Sequence, residues 1–429
     1  MISKKAFLAL ILCSICLSAC VREAKDQSNV LSSIQCIDRN GLSETISNTQ
    51  RLQAFRSHDF LAPQPYKKVL RVYGRNEQGQ SPTKITTYHD NGQIWQYLEA
   101  MDGRAHGIYR EWHSNGQLKI EAHVIEGMAD LQENAILSWV FDGTNRVWDE
   151  YGHLIAEIPY DKGSLHTTSL YYFPNGTLQK VIPYKEGKID GTLCEYDMSG
   201  NILEEICYEQ GERNGPAIAY WNAKDICYVE EYDHGLLIQG VYFDASGNCC
   251  AEIVGGAGER VVFAEGKISL YTEYKAGKPE GTVRRLHADG SLHSCYQIIG
   301  GKKEGEEWEY YRVEKGAAAQ PKLLLHWHED KLQGVVKTWY PHGVQESQWE
   351  MQENKKQGYA FAWYRNGDLM LSEEYENGLL IEGTYYKRGE KSPASRIEEG
   401  KGRATLFSAE GLLLKKIDYE KGKPLIDKG

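Results

Sequence analysis

Residues 169–191 read SLYYFPNGTLQKVIPYKEGKIDG, and residues 193–215 read LCEYDMSGNILEEICYEQGERNG. Gly176, Gly187 and Gly191 of the first stretch return 24 residues later as Gly200, Gly211 and Gly215. A fixed period of this length marks a repeat architecture, in which each period is one small supersecondary unit. The frame extends outward in both directions. A first turn falls at Gly92, Gly116, Gly152, Gly176, Gly200, Lys224, Gly266, Gly290, Ala319, Gly343, Gly367 and Gly411. A second turn follows each first turn by eleven residues, from Gly103 through Gly187 and Gly211 to Gly422.

The residues around these turns define what one unit is. Several first turns are Asn-Gly or Asp-Gly pairs (Asn91-Gly92, Asn115-Gly116, Asn175-Gly176, Asp289-Gly290, Asn366-Gly367), which reach positive φ cheaply in tight hairpins. Four residues before the turn a large ring recurs, as in Tyr88, Trp112, Trp148, Tyr172, Trp339 and Trp363. Two residues after it comes an aliphatic such as Ile94, Leu118, Leu178 or Leu369, and eight after it Tyr160, Tyr208, Tyr232, Trp327 or Tyr375. Even spacing along a strand keeps side chains on one face. Each unit is therefore expected to be two short strands with one aromatic-aliphatic face and one polar face. A lone hairpin is marginal, whereas hairpins side by side extend one sheet whose stability sums over neighbours. The expected fold is all-β: tandem β-hairpin repeats forming an elongated single-layer antiparallel sheet, an open solenoid. The pattern is similar to the MORN-repeat variant family, a hairpin repeat with an aromatic residue, an Asn-Gly turn and a Gly-Lys second turn (Gly187-Lys188, Gly277-Lys278), over about residues 81–425.

Departures from the 24-residue step place inserts near 128–142, 236–262, 311–320 and 379–408. Two of them belong to a duplicated block. Residues 230–240, EEYDHGLLIQG, match residues 373–383, EEYENGLLIEG, at an offset of 143, close to six units. Insertions in repeat arrays collect on one side and often carry contacts, so the 236–262 and 379–408 inserts are the expected place for a partner to dock.

The N-terminus carries a separate signal. Lys4 and Lys5 precede the apolar run Ala6–Cys16, too short for a permanent membrane span, and Leu17-Ser18-Ala19-Cys20 follows. These four residues resemble the lipobox of bacterial lipoproteins. The resemblance implies cleavage before Cys20 and acylation of its thiol and its new amine, and several acyl chains anchor more firmly than one. Val21 after the cysteine favours outer-membrane sorting in that family. The chain is thus read as a signal peptide over 1–19, a tether over 20–34, a capping segment over 35–80 and about twelve hairpins over 81–429. Solenoid ends need such a cap.

Chemistry is sparse. Lys and Arg (49) are mixed among Asp and Glu (60) rather than gathered in a basic stripe, which speaks against nucleic acid as a partner. Seven cysteines follow Cys20 without any CxxC spacing, and Cys227 occupies a slot held by Met370 and Leu203 in other units, so a buried thiol is expected there. His326-Trp327-His328-Glu329-Asp330 places two histidines on one face of a strand, as a zinc site would, but the frame puts both on the polar face beside a turn. Gly255-Gly256-Ala257-Gly258 lacks the Lys-Ser/Thr of a phosphate loop and reads as a flexible loop in an insert. No GxSxG or Cys/His signature of nucleophilic catalysis occurs, and a single-layer sheet offers no deep pocket for shifting carboxylate pKa values. The Tyr and Trp stripe has the chemistry of a carbohydrate platform, yet its recurrence in nearly every unit favours a core ladder. The expected function is that of a lipid-anchored envelope scaffold for a protein partner, not an enzyme, with no metal or cofactor. The family resemblance raises an antitoxin-like role as an alternative, and a cell-wall glycan-binding role is a second.

Overall fold

The computed structural model describes residues 30–64, 67–313 and 317–425. Two compact units divide near residues 179–187. Both are built from antiparallel strands paired in sequence order, and among the described residues no pairing joins the last strands of a unit back to its first. The all-β hairpin array is therefore an open sheet, and no described helix is long and apolar enough to cross a membrane.

In the first unit the strand Val30–Asp38 pairs with Ser43–Ile46 on one side and Lys67–Arg75 on the other, so the outermost strand is partly covered. Lys67–Arg75 then leads through Pro82–Tyr88 into the hairpin series. Both faces of this region are covered. Leu52, Phe55 and Phe60, from the helix Thr49–Gln53 and the chain after it, pack on Ile34, Leu70, Val72 and Tyr88. The opposite face, with Ile85, Leu98, Tyr109 and Val124, is covered by Leu131 and Trp139 from the 128–142 stretch. The Trp139 ring meets Tyr109 edge-on at 4.8 Å, and its Nε1 donates to the Met128 carbonyl at 2.9 Å. That stretch is a lid on the sheet rather than a surface excursion.

The two turns of each unit differ in kind. At the second turns two consecutive residues take positive φ, as at Glu186 (+52°) and Gly187 (+79°), or Glu353 (+48°) and Asn354 (+64°). This is the two-residue turn whose twist matches the flanking strands. Many of them also bind the neighbouring turn: Gly187 N donates to Leu165 O at 2.9 Å, Gly211 N to Ile189 O at 2.8 Å and Gly378 N to Lys356 O at 2.9 Å. The Asn-Gly first turns, expected to be the tight ones, are longer. Only the glycine has positive φ (Gly92, +87°), His89 N donates to Gln93 O, and one extra residue is bulged.

That bulge changes which residues share a face. In the first hairpin Thr87 lies opposite Gln96, but Tyr88 lies opposite Ile94, and the same slip recurs at Trp112–Leu118 and Trp363–Leu369. Opposed residues share a face and successive residues alternate. The rings before the turn and the aliphatics after it therefore lie on one face, while residues four, six and eight after the turn lie on the other. The expected single aromatic-aliphatic face is thus split between two faces. The closely packed stripe is a row of direct pairs: Ile85–Leu98, Tyr109–Ala122, Leu193–Ile206, Gly240–Ile253 and Ala404–Ile417. We call this the inner face. Of the aliphatics on the other face Ile94 is buried with Leu52 and Tyr88, whereas Leu369 and Ile226 remain 37% and 39% exposed.

Residues 236–262 and 379–408 stay within the sheet. Leu236–Phe243, Cys249–Val254 and Ala257–Ala264 pair in succession in the first block, and Leu379–Tyr386, Pro393–Glu398 and Lys401–Phe407 in the second. Each block adds a shortened hairpin. Gly255-Gly256, expected to be a flexible loop, forms one of its tight turns (φ +60° and +77°), with Gly256 N donating to Ile238 O at 2.8 Å.

Candidate functional site

Cys20, the expected lipidation residue, lies outside the described residues, as does the start of the tether. The sites that can be built from side chains lie on the two faces of the second unit.

On its inner face three glutamates occupy packed positions. Glu230 is fully buried opposite Ala217, in the slot that Ile206 and Ile253 fill in neighbouring hairpins. Its Oε1 accepts from Tyr242 Oη at 2.7 Å and from Arg260 Nε at 2.7 Å, and its Oε2 accepts from Tyr232 Oη at 2.8 Å. Arg213 Nη1 donates to Tyr232 Oη at 2.9 Å, closing the cluster. A buried carboxylate is costly unless hydrogen bonds and a counter-charge offset its lost hydration, and this one has both. Burial, and then the Glu230 charge, push the Tyr232 hydroxyl up to about 12. The same causes raise Tyr242 well above its ordinary range.

The duplicated block repeats the geometry with one change. Glu373 accepts from Tyr375 at 2.9 Å and Tyr385 at 2.7 Å, and Lys356 stands where Arg213 stands. The counterpart of Arg260 is Ala404, buried opposite Ile417. Glu373 has no ion pair among the described residues. A third buried carboxylate, Glu307, accepts from Trp327 Nε1 and Lys303 Nζ, both at 2.7 Å. All three are buried, and their hydrogen bonds tie neighbouring strands together. The sequence signal was an acid in an aliphatic slot. It was visible in the Glu230/Glu373 match but had no meaning without the inner stripe.

The two histidines of the 326–330 motif are engaged separately. His326 Nδ1 lies 2.6 Å from Val335 O, and His328 Nδ1 lies 2.9 Å from Glu304, whose carboxylate raises the pKa of His328. Among the described residues no three His, Cys, Asp or Glu gather to hold a metal. Cys227 is 8% exposed, whereas Leu203, in the matching slot, is 38% exposed. Burial pushes the Cys227 thiol up to about 11. The seven described cysteines are free thiols.

The other, outer face of the second unit carries two rows of rings. Trp308 stacks on Tyr310 at 6.5 Å and on Trp339 at 5.7 Å, with interplanar angles of 19° and 24°. Tyr359, Phe361 and Trp363 follow one another along a single strand at 6.2 and 6.0 Å, inclined by 22° and 29°. Leu324, directly opposite Trp308, is buried.

The hairpin with a bulged first turn and a stacked tight second turn defines the class: the chain is a β-hairpin repeat protein. The MORN repeat variant matches it at residues 105–125 and 165–186. Both stretches run through the turn geometry described above, so the repeat at these places is of the MORN-variant kind. No curated protein matches the sequence. Among solved structures the chain is similar to a porin-like protein from Bacteroides uniformis ATCC 8492, at 13% identity over 63% of this chain and 94% of that one, with a TM-score of 0.14. A TM-score this low carries no argument about fold or function.

Proposed function

We propose that this is a lipid-anchored repeat protein of the bacterial envelope, probing or holding a protein partner through its sheet faces. The observation that carries the anchor is the sequence Leu17-Ser18-Ala19-Cys20 behind Lys4, Lys5 and a short apolar run, less than a dozen residues ahead of the first strand at Val30. An acylated Cys20 would keep the array close to a membrane surface, most simply the outer membrane. The repeat build supports the scaffold role: an open sheet offers extended surface, as solenoids do for macromolecular partners. The duplicated blocks contribute ordered sheet to that surface, so a partner would meet a preformed face and not a loop that orders on binding.

The test is photo-cross-linking in cells from the exposed positions Glu231 and Val254, in the native chain and in Cys20→Ala. The expected result is a discrete adduct that weakens when the anchor is removed. No adduct from either position, or an adduct in the cytosol unaffected by Cys20→Ala, would overturn the scaffold reading and favour the antitoxin-like one.

A further inference from the structure

We infer that the His287–His293 pair is an acid-sensitive joint: it holds the first-turn end of one hairpin to the next near neutral pH and releases it as the pair takes up protons. A ring with an N–H or O–H recurs three residues before the first turn, and it straps its hairpin to the one that follows. His89 Nε2 lies 2.9 Å from Trp112 O, and His113 Nε2 lies 3.1 Å from Trp148 O. Trp221 Nε1 donates to Phe243 O at 3.1 Å, Tyr340 Oη to Trp363 O at 2.8 Å and Tyr364 Oη to Tyr386 O at 2.7 Å. His287 holds the same place before Gly290 and makes no such bond. By register its acceptor is Tyr310 O, since Tyr310 opposes Pro321 as Trp112 opposes Leu118. The Nε2 of His287 is instead buried without a hydrogen-bond partner among the described residues.

Beside it stands a second imidazole. His293 is the bulged residue of this hairpin, between Leu292, opposite Leu286, and Ser294, opposite Arg285. Its ring centre lies 4.6 Å from that of His287, edge to face at 66°. In the first hairpin the same two places hold His89 and Trp95, so the imidazole there stacks on a ring that cannot take a charge. An imidazolium donates from both nitrogens. A proton on His287 therefore puts an unpaired, charged N–H in a buried place, and a proton on His293 sets a second charge against it. The other charged groups around His293 are Arg285, Lys322 and Glu309, and Glu309 lies 3.6 Å from the Lys322 ammonium. At the turn Asp289 is held by Arg312 at 2.6 Å. Burial, and then the charge of His287, hold His293 below its ordinary value. A group lowered in the closed form takes its proton first when the joint opens, so closure is favoured above about pH 6.5 and weakens as pH falls below it. The last direct pair between the two hairpins at this end is Ser294 with Glu309, so little else holds the joint shut.

The test is hydrogen exchange of the purified full chain, read by mass spectrometry at about pH 7.5 and about pH 5 and corrected for the intrinsic rate. Peptides covering Leu286–Ser294 should lose protection about fivefold or more at the lower pH. Tyr88–Gln93, where the strap is made, should change by less than about twofold, and the strand signal in circular dichroism should stay constant. The double substitution His287→Tyr with His293→Gln removes both imidazoles and sets at 287 the ring that Tyr340 supplies; it should cancel the pH effect. The milder His293→Gln alone should reduce the effect at least about twofold, and His89→Gln should leave it in place. Full protection of Leu286–Ser294 at the lower pH would overturn the inference. So would an equal loss at Tyr88–Gln93, loss of the strand signal as a whole, or an effect that survives the double substitution.

Discussion

Ala217 stands directly opposite Glu230 on adjacent antiparallel strands, and neither exposes any surface. The alanine makes room for the carboxylate and its tyrosine and arginine partners. The same opposition of small and large runs along the inner face, as Gly240 against Ile253 and Val336 against Trp349.

Truncation of Glu230 should be more damaging than truncation of Glu373. Glu230→Ala leaves Arg260 buried without its counter-charge, a loss of about 3–5 kcal/mol. Glu373→Ala leaves only tyrosine hydroxyls unpaired, about 1–3 kcal/mol. Hydrogen exchange of the strands Ile226–Asp233 and Leu369–Glu376 measures each local opening free energy. Equal losses would mean that the ion pair to Arg260 adds nothing.

Gly240 and Gly247 separate steric from conformational cost. A Cβ on Gly240 would meet Tyr242 Oη at 2.7 Å, so Gly240→Ala must displace the ring from Glu230, costing about 1–3 kcal/mol. Gly247 has φ +81° and open space around it, so Gly247→Ala should cost about 1–2 kcal/mol from backbone strain alone. Adding Tyr242→Phe should relieve part of the first loss and none of the second, as a double-mutant cycle would read.

The buried tyrosines set an alkaline limit. Burial and the Glu230 charge raise Tyr232 from 10 to about 12 in the folded protein. A raised folded-state pKa contributes stability that is fully present below pH 10 and is lost as pH rises through 12, because the unfolded chain releases the proton first. Tyrosinate absorbance should therefore show a late class of tyrosines that ionise together with loss of the strand signal in circular dichroism. Smooth titration of all tyrosines near pH 10, with the sheet intact, would contradict the cluster.

Ala276 has φ +49° in the tight turn before Gly277 and is exposed. Ala276→Asn should raise local stability by about 0.5–1 kcal/mol, since asparagine tolerates this conformation better. Thermal or denaturant midpoints report it. A loss would show that the turn requires alanine for a contact absent from the fold.

The period, the hairpins and the positions of the second turns were legible because turn glycines answer to backbone geometry that residue type records directly. The faces were not. One bulged residue at each first turn, such as Trp95 between Ile94 and Gln96, shifts the alternation so that the residues two and eight after the turn, at even sequence spacing, end on opposite faces. The packed stripe escaped notice because no one residue type recurs in it, its pairs running from Tyr109–Ala122 to Val336–Trp349. The extra hairpins were hidden by their turns at Gly247 and Gly389, which fall 23 and 22 residues after Lys224 and Gly367 and so leave the 24-residue frame. The Glu230 and Glu373 clusters and the outer ring rows depend on those two losses.

The anchor is tested most directly by the intact mass of the protein recovered from the membrane fraction of cells expressing the native sequence. A mature chain beginning at an acylated Cys20, replaced in Cys20→Ala by unlipidated precursor, is the expected result. A native chain that keeps Met1, carries no fatty acid and stays in the soluble fraction would contradict it.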